Sequence, residues 1–358
     1  MNKIVVLTAA AASAAVTPAM AQSSISVSGV ADAAVRYVNN EGRDSNWSLV
    51  SGGNSTSKLI IRGTEDLGGG LSAGFHLEHG FLINNGAPVQ STQFWDRRST
   101  VSLASTTFGE LRGGRDYVPS YLNWNRFDPF AYVGVAGANN LVSNTPQGPI
   151  RAAFGTAPAT TVRTNSAVEW FLPSGWGGLE GMLLATASDN GTTANGINTV
   201  RGGRLGWASG PFVISAARTT TENNLTTDGK FTDDVIAGAY NFGFMRLSVG
   251  LRRFEYSTSK QTNVLVGVTA PLGTGELKAS INQADFDGSV GATNVSDNGA
   301  TQYGLGYVYN LSKRTALYGT LSYLTNDGAQ ASVIPGGNAG MAGGGTSKGV
   351  EAGLRHNF

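Results

Sequence analysis

The chain beyond residue 21 consists of repeated runs of about ten residues in which apolar and polar side chains alternate with a period of two. This period is typical of β-strands that face an apolar medium on one side and a polar medium on the other. The pattern predicts about sixteen strands, at 25–38, 56–65, 72–84, 93–104, 108–116, 162–172, 177–187, 199–208, 211–220, 231–241, 244–255, 261–271, 274–285, 298–310, 313–325 and 347–358.

The connections between these runs alternate in length. Tight turns, such as Ser209-Gly210 and Leu311-Ser312, alternate with long polar segments, such as 39–55 and 326–346. Outer-membrane barrels have short periplasmic turns and long extracellular loops, and a soluble β-sandwich does not alternate them so regularly. We therefore predict an all-β fold for residues 22–358, a transmembrane antiparallel β-barrel in the bacterial outer membrane.

The first residues predict export. Met1-Asn2-Lys3 is a short basic start, an apolar Ala-rich run follows, and Ala19-Met20-Ala21 has the A-x-A form of a cleavage site. We expect residues 1–21 to be a signal peptide that is removed between Ala21 and Gln22. The apolar run is too short to cross a membrane.

Composition supports a barrel. Gly accounts for 50 of 358 residues, Cys is absent and charged residues make up only 14%. A closed barrel pairs every backbone group without needing disulfides. After the predicted signal peptide, no run of about 18 apolar residues predicts a membrane-spanning helix. The net charge of +1 gives no global field to attract nucleic acid.

Alternation also assigns the two faces of the strands. Tyr303 and Leu305 share one face, which we expect to meet lipid, and Gln302 and Gly304 share the other. The inward face is therefore polar and the lumen is expected to hold water. Phe358 ends the last strand on its outward face.

The first strands and the strand before the long loop carry small residues on both faces. These residues are Ala31, Ala33, Ala34, Gly113 and Gly114. Small side chains allow close packing against another protein wall, so the sequence indicates a subunit interface here.

The longest connection spans residues 117–161, far beyond typical loop lengths. Its first half is rich in aromatic residues, namely Tyr117, Tyr121, Trp124, Phe127, Phe130 and Tyr132. Because a loop exposed to water has no reason to be so aromatic, we predict that it folds into the barrel. The buried rings would then narrow the lumen.

A narrowed lumen selects solutes by size and by the charge at its narrowest point. Alternation places Lys58 and Arg62 of one strand, and Arg163, Asn165 and Glu169 of another, on the lumen face. These positions are the first candidates for charges that act on permeating ions.

Further charges lie next to the long loop. Arg97 and Arg98 are adjacent, so alternation sends one of them inward without deciding which. Arg115 lies at the root of the loop, and Asp116 and Asp128 are the acids that the loop offers. Because a guanidinium stays charged at physiological pH, a basic wall facing few acids predicts a mild preference for anions.

The chain resembles the Gram-negative general porins, and most of all their β-proteobacterial branch. The resemblance covers residues 24–358 and rests on SKLIIRGTEDLGGGL at 57–71, RRSTVSL at 97–103, FGELRGGR at 108–115, DPF at 128–130, RTNS at 163–166 and GVEAGLRHNF at 349–358. The acidic Pro-Glu-Phe-Gly-Gly motif of enterobacterial relatives is absent, and Asp128-Pro129-Phe130 stands in its region.

The resemblance implies a sixteen-stranded barrel, a homotrimer and a constriction formed by the third extracellular loop. It implies passive diffusion of small hydrophilic solutes and ions, with the ion preference set by a basic wall of Lys58, Arg62, Arg97, Arg115 and Arg163. It also makes Arg97 the better candidate of its pair. Phe358 would be the mark that the barrel-assembly machinery reads.

Other classes of function find less support. A substrate-specific channel for a sugar, phosphate or organic anion is the alternative, although the aromatic residues cluster at the loop root rather than along the lumen. An enzyme is not expected, because His76 and Glu78 share one face while His79 points away. No residue spacing indicates a zinc site or another cofactor.

Outer-membrane lipid is the expected surroundings of the barrel. The loop acids could bind Ca²⁺ or bridge to lipopolysaccharide through divalent ions, but their positions in polar loops favour plain solvated charges. These acids are Glu222, Asp228, Asp285, Asp287 and Asp297.

Overall fold

The computed structural model describes residues 23–142, 146–155, 161–187 and 199–358, so the predicted signal peptide lies outside the described residues. The strands are β1 Ser24–Asn40, β2 Asn46–Ser51, β3 Lys58–Gly68, β4 Leu71–Gly80, β5 Arg98–Ser105, β6 Gly109–Tyr117, β7 Arg163–Phe171, β8 Leu179–Thr186, β9 Thr199–Ser209, β10 Phe212–Glu222, β11 Phe231–Asn241, β12 Arg246–Tyr256, β13 Ser259–Leu272, β14 Gly275–Asp287, β15 Ser289–Val290, β16 Thr293–Asn294, β17 Gly299–Asn310, β18 Thr315–Asp327 and β19 Thr346–Asn357. The helices are α1 Pro119–Asn125, α2 Pro149–Phe154 and a 3-10 helix at Ala138–Leu141. Within the described ranges, no helix is long and apolar enough to cross a membrane.

The strands form one closed antiparallel barrel. Each long strand pairs with its neighbour along the chain, and β1 pairs with β19 from Val30↔Asn357 to Asn40↔Ser347 to close the ring. On its other edge β1 pairs with β2 at one end and with β3 at the other. β2 and β3 therefore form a single interrupted strand. Counted this way the barrel has sixteen strands, which confirms the predicted fold class.

Two stretches predicted as loops contain strands. β2 lies within the predicted loop 39–55, and β15 pairs with β16 inside the predicted loop 286–297. Residues 46–51 do alternate, because Trp47 and Leu49 are exposed on the outer face. The prediction treated 39–55 as one long polar connection, so this short strand was not separated from it.

The two faces of the barrel follow the alternation. Outward side chains such as Tyr303 and Leu305 are exposed on the surface, as a wall in contact with lipid requires. Gln302 lies on the opposite face and is buried inside the barrel. Phe358 exchanges two backbone hydrogen bonds with Gly29, at 3.0 and 3.1 Å, and these bonds extend the junction between the first and last strands.

The described parts of the segment between β6 and β7, residues 118–142, 146–155 and 161–162, fold into the barrel, and we call them the inner loop. Helix α1 packs against the inner faces of β8 to β11, α2 packs against β11 to β13, and the 3-10 helix packs against β14. The aromatic side chains of the loop are buried there, among them Trp124 and Phe127. Trp124 belongs to a buried cluster whose side chains come both from the loop and from the wall, including Met182, Val200 and Leu265.

Candidate functional site: the constricted lumen

The wall beneath the inner loop has glycines where the loop comes closest. A Cβ atom added to Gly267 would lie 2.6 Å from two ring carbons of Pro129, and one added to Gly250 would lie 2.9 Å from the Trp124 ring. Phe130 lies equally close to Gly304. These distances are shorter than van der Waals contact permits, so only glycine leaves room for the loop.

Asp128 organises the tip of the inner loop. Its carboxylate accepts backbone N–H bonds from Phe130 at 3.0 Å, Tyr132 at 2.8 Å and Ala138 at 2.9 Å. Ala131 and Tyr132 both have positive φ, a conformation that costs energy for residues other than glycine. The three bonds hold this strained turn in place. Burial raises the pKa of Asp128 above its usual range, against the opposing effect of the bonds.

Buried ionic groups fix the loop to the wall at two places. Asp233 of β11 accepts a hydrogen bond from Ser120 of α1 at 2.7 Å and pairs with Arg252 of β12 at 2.7 Å. Glu351 of β19 accepts the N–H of Val135 at 3.0 Å. A loop held near its start and at its tip is positioned to narrow the lumen.

An opening lies between the described part of the inner loop and the wall formed by β3 to β7. It is a cavity of about 500 Å³, and we call it the waist. Its wall side presents five cationic side chains, those of Lys58, Arg62, Arg97, Arg98 and Arg163, together with His76 and the carboxylate of Glu78. Its loop side presents neutral residues, including Tyr121, Ala131, Tyr132, Val133 and Asn139.

Acidic residues neutralise only part of the cationic wall. Glu78 pairs with Arg97 at 2.5 Å and with Lys58 at 3.5 Å, and His76 lies 3.4 Å from the same carboxylate. Asp116 pairs with Arg98 at 2.7 Å. The ion pairs hold these bases in fixed positions and reduce their net field.

Arg62 and Arg163 lie at the waist without a carboxylate partner among the described residues. Arg62 is exposed and lies opposite His76 in the β3–β4 register. Arg163 lies over the Tyr117 ring at 4.6 Å, and its Nη2 donates to the Tyr117 hydroxyl at 3.3 Å. These two guanidinium groups therefore direct an uncompensated positive charge towards permeating ions.

Arg97 and Arg98 both reach the waist, although alternation allowed only one of them to do so. Arg98 is the first residue of β5 and follows the inward parity of the strand. Arg97 precedes the strand, so its direction is not bound by alternation, and its Nη2 donates to the Tyr117 hydroxyl at 2.9 Å.

Arg115 does not line the waist. Arg115 is paired with Ser99 of β5, on the same face of the sheet as the exposed Val101. Its guanidinium donates hydrogen bonds to the Asp96 carbonyl and to the Asn165 side chain. The β6–β7 register shifts between Gly114 and Asp116, so alternation fails across this point. Because of the same shift, Asn165 does not face the lumen as alternation predicted. Glu169, beyond the shift, is buried inside the barrel as predicted.

The predicted acids of the loop lie away from the permeation path. Asp128 is buried and bonded to backbone N–H groups, and Asp116 is buried behind Arg98 and Arg112. Pro129 and Phe130 pack against the wall rather than against the opening. In the described residues, no group of three or more potential metal ligands is found, so calcium binding by the loop acids stays a prediction.

A second inward segment was missed from the sequence. Residues 52–57, between β2 and β3, project into the lumen, and Asn54, Ser55 and Thr56 line the waist. The Asp32 carboxylate holds them by accepting the N–H groups of Gly53, Asn54 and Ser55 at 2.7 to 3.2 Å. The Gly52-Gly53 pair signals a chain reversal, but nothing in the local pattern indicates its direction.

A closed sixteen-stranded barrel with an apolar outer face, a polar interior and a constricted opening defines a class: the outer-membrane diffusion channels. A family model described as Gram-negative porin matches residues 7–329. The chain belongs to the Gram-negative porins, and it is an outer-membrane protein that forms a water-filled channel.

Individual relatives agree with this assignment. The outer membrane porin protein 32 of Delftia acidovorans is 37% identical, over 98% of this chain and 99% of that protein. The structure of an anion-selective porin from Comamonas acidovorans matches with a TM-score of 0.80 at 32% identity, covering 94% of this chain and all of that one. The trimer form of OmpT from Vibrio cholerae shares the fold at 11% identity, with a TM-score of 0.62, covering 94% of this chain and 99% of that one.

Proposed function

We propose that the waist is a passive filter for small hydrophilic solutes that favours anions over cations. The observation that carries this proposal is the charge asymmetry of the opening, with five cationic side chains and one carboxylate on the wall and a neutral loop opposite. A lumen walled by low-dielectric protein strengthens the field of such a cluster relative to open water. The structural relative described as anion-selective has the same fold.

Paired and unpaired bases contribute differently. Lys58 and Arg97 share Glu78, so part of their field is cancelled. Arg62 and Arg163 have no such carboxylate partner among the described residues, so their fields are not cancelled. We therefore infer that these two residues dominate the preference for anions, while the ion pairs hold the wall in shape. Salt should weaken the preference, because the Debye length falls from about 10 Å at 0.1 M to about 3 Å at 1 M.

A substrate-specific channel is the weaker alternative. Such a channel needs a track of exposed rings or a site that fits one solute. Here Trp124, Phe127 and Phe154 are buried against the wall. The rings that do reach the waist, Tyr117, Tyr121 and Tyr132, cluster at one place.

We infer that the assembled form is a homotrimer joined through the outer face of β1 to β6. Ile25, Val27 and Val101 are each more than 60% exposed there. Ala31 and Ala33 lie on the same face as Val27, and their small side chains allow another subunit to approach the wall closely. Export by the signal peptide, recognition of Phe358 by the assembly machinery and contact with lipopolysaccharide complete the proposed route to the membrane.

Charge reversal at the waist tests the proposed filter. Arg62→Glu and Arg163→Glu, each reconstituted in a planar bilayer, should move the reversal potential in a KCl gradient towards cation preference. Lys260→Glu is the matched control, since Lys260 is exposed on the outer face of β13 and makes the same charge change away from the lumen. If both waist variants keep the wild-type potential, or if the control shifts it equally, the proposal fails.

A further inference from the structure

Three arginines come together beneath the inner loop, on the periplasmic side of the waist. Arg126 follows the last residue of α1, Arg204 points inward from β9, and Arg246 is the first residue of β12. β12 starts directly after a short turn, which marks the periplasmic end of the barrel. None of the three lines the waist.

The cluster carries more positive charge than its neighbours compensate. Glu180 of β8 forms an ion pair with Arg126 and lies 3.6 Å from Arg204. It is the sole carboxylate within 4 Å of the three guanidinium groups in the described part of the chain. Glu276 of β14 acts on Arg246 from a greater distance and is itself paired with Lys278 at 3.6 Å. The cluster therefore keeps an excess of positive charge.

Neutral contacts also hold the side chains of Arg126 and Arg246. Arg246 donates through both terminal nitrogens to the Arg126 carbonyl, at 3.3 and 3.4 Å. The buried Phe127 ring lies 5.9 Å from the guanidinium of Arg126 and 5.7 Å from that of Arg246. Such contacts hold like charges near one another before any ligand binds.

One N–H donor in the cluster makes no hydrogen bond within the described structure. The Nε of Arg204 is buried and has no hydrogen-bond partner among the described residues. A buried donor without an acceptor is costly, and a guanidinium presents its nitrogens in a fork that matches carboxylate and phosphate oxygens. The protein therefore satisfies this guanidinium only in part, and its terminal nitrogens remain able to donate to an oxygen ligand in the lumen.

We propose that Arg126, Arg204 and Arg246 form a second anion site, separate from the waist, which binds a small oxyanion with two negative charges from the periplasmic side. The excess of positive charge favours a dianion over chloride. The site goes beyond the charge filter at the waist, because its ligand would bind with saturation rather than only pass.

Sulfate is a suitable probe, because it is a dianion throughout the neutral pH range. Sulfate is added to one side of a bilayer at a time, at constant KCl, and the chloride conductance is recorded for the full-length mature protein. We expect a saturable decrease that is stronger from one side. Arg204→Gln and Arg246→Gln should each raise the half-blocking concentration about fivefold, since each removes a charge-assisted contact.

Two controls separate this site from the waist. Arg163→Gln should weaken the preference for chloride and leave the sulfate half-blocking concentration unchanged, and Lys260→Gln should alter neither. Absence of saturable block in the wild type would overturn the site. So would block that persists unchanged in both Arg204→Gln and Arg246→Gln, or that is lost in Arg163→Gln, because sulfate would then bind at the waist. Two independent arginine variants keep the test valid if one of them does not fold.

Discussion

Glu351, on the strand that closes the barrel, accepts a hydrogen bond from the backbone N–H of Val135 at the tip of the inner loop, at 3.0 Å. The same carboxylate pairs with Arg36 of the first strand at 2.7 Å, and both side chains are almost fully buried. One acid thus joins the seam of the barrel to the element that narrows it.

Removing this acid should loosen the loop and destabilise the barrel. Glu351→Ala leaves the Arg36 guanidinium buried without its carboxylate partner, which typically costs about 3 kcal/mol or more. We expect a lower midpoint of thermal unfolding and noisier single-channel currents. Arg218→Ala is the matched control, because it breaks an exposed ion pair with Asp234 on the outer face instead of a buried pair at the seam. Equal destabilisation by the two variants would contradict the assigned role.

Adding one methyl group beneath the loop should reduce the conductance. In Gly267→Ala the new Cβ would overlap the Pro129 ring, so the loop must move away from the wall and into the opening. Overpacking of this kind costs about 1 to 3 kcal/mol. Gly319→Ala is the control, since its nearest neighbouring atom lies 4.0 Å away. Wild-type conductance in Gly267→Ala would show that the loop is not confined by this contact.

Substitutions of Asp128 and Glu78 should affect different properties of the channel. Asp128→Ala removes three acceptors from the strained turn, so we expect unstable currents with little change in the reversal potential. Glu78→Gln removes the carboxylate at the waist and should increase the preference for anions. If Asp128→Ala moves the reversal potential as far as Glu78→Gln does, Asp128 acts on the ions directly.

The raised pKa of Asp128 predicts a pH effect on stability. Because the folded protein holds this proton more tightly, the contribution of Asp128 is fully present below the unfolded pKa of about 3.9 and is lost as the pH rises through the folded value. The thermal midpoint of the wild type relative to Asp128→Asn should therefore fall as the pH increases from about 3 to 7. A difference that grows with pH would contradict this assignment.

Alternation predicted the strands well because a barrel wall faces two different media along its whole length. It failed where the backbone leaves the regular ladder. Arg115 and Asn165 lie at a register shift, and Arg97 precedes its strand, so parity could not orient these residues. The inward direction of residues 52–57 depends on Asp32, which is more than 20 positions away along the chain. Such tertiary contacts leave no local pattern.

The inner loop shows the same limit. Its aromatic residues indicated burial, and the glycines that receive them are visible in the sequence, but only the fold pairs Pro129 with Gly267. The sequence suggested that the Asp128 carboxylate faces the pore. In the structure it is buried and accepts hydrogen bonds from the loop backbone. The cluster of Arg126, Arg204 and Arg246 brings together three distant segments and had no signal in the sequence.

The central claim is that the waist favours anions, and the reversal potential of the wild-type protein in a KCl gradient tests it most directly. With a single channel population in a planar bilayer, the sign of that potential reports which ion crosses more readily. We predict the sign that chloride selectivity produces, with a magnitude that shrinks as the salt concentration rises. A potential of zero, or one with the sign of potassium selectivity, would contradict the account.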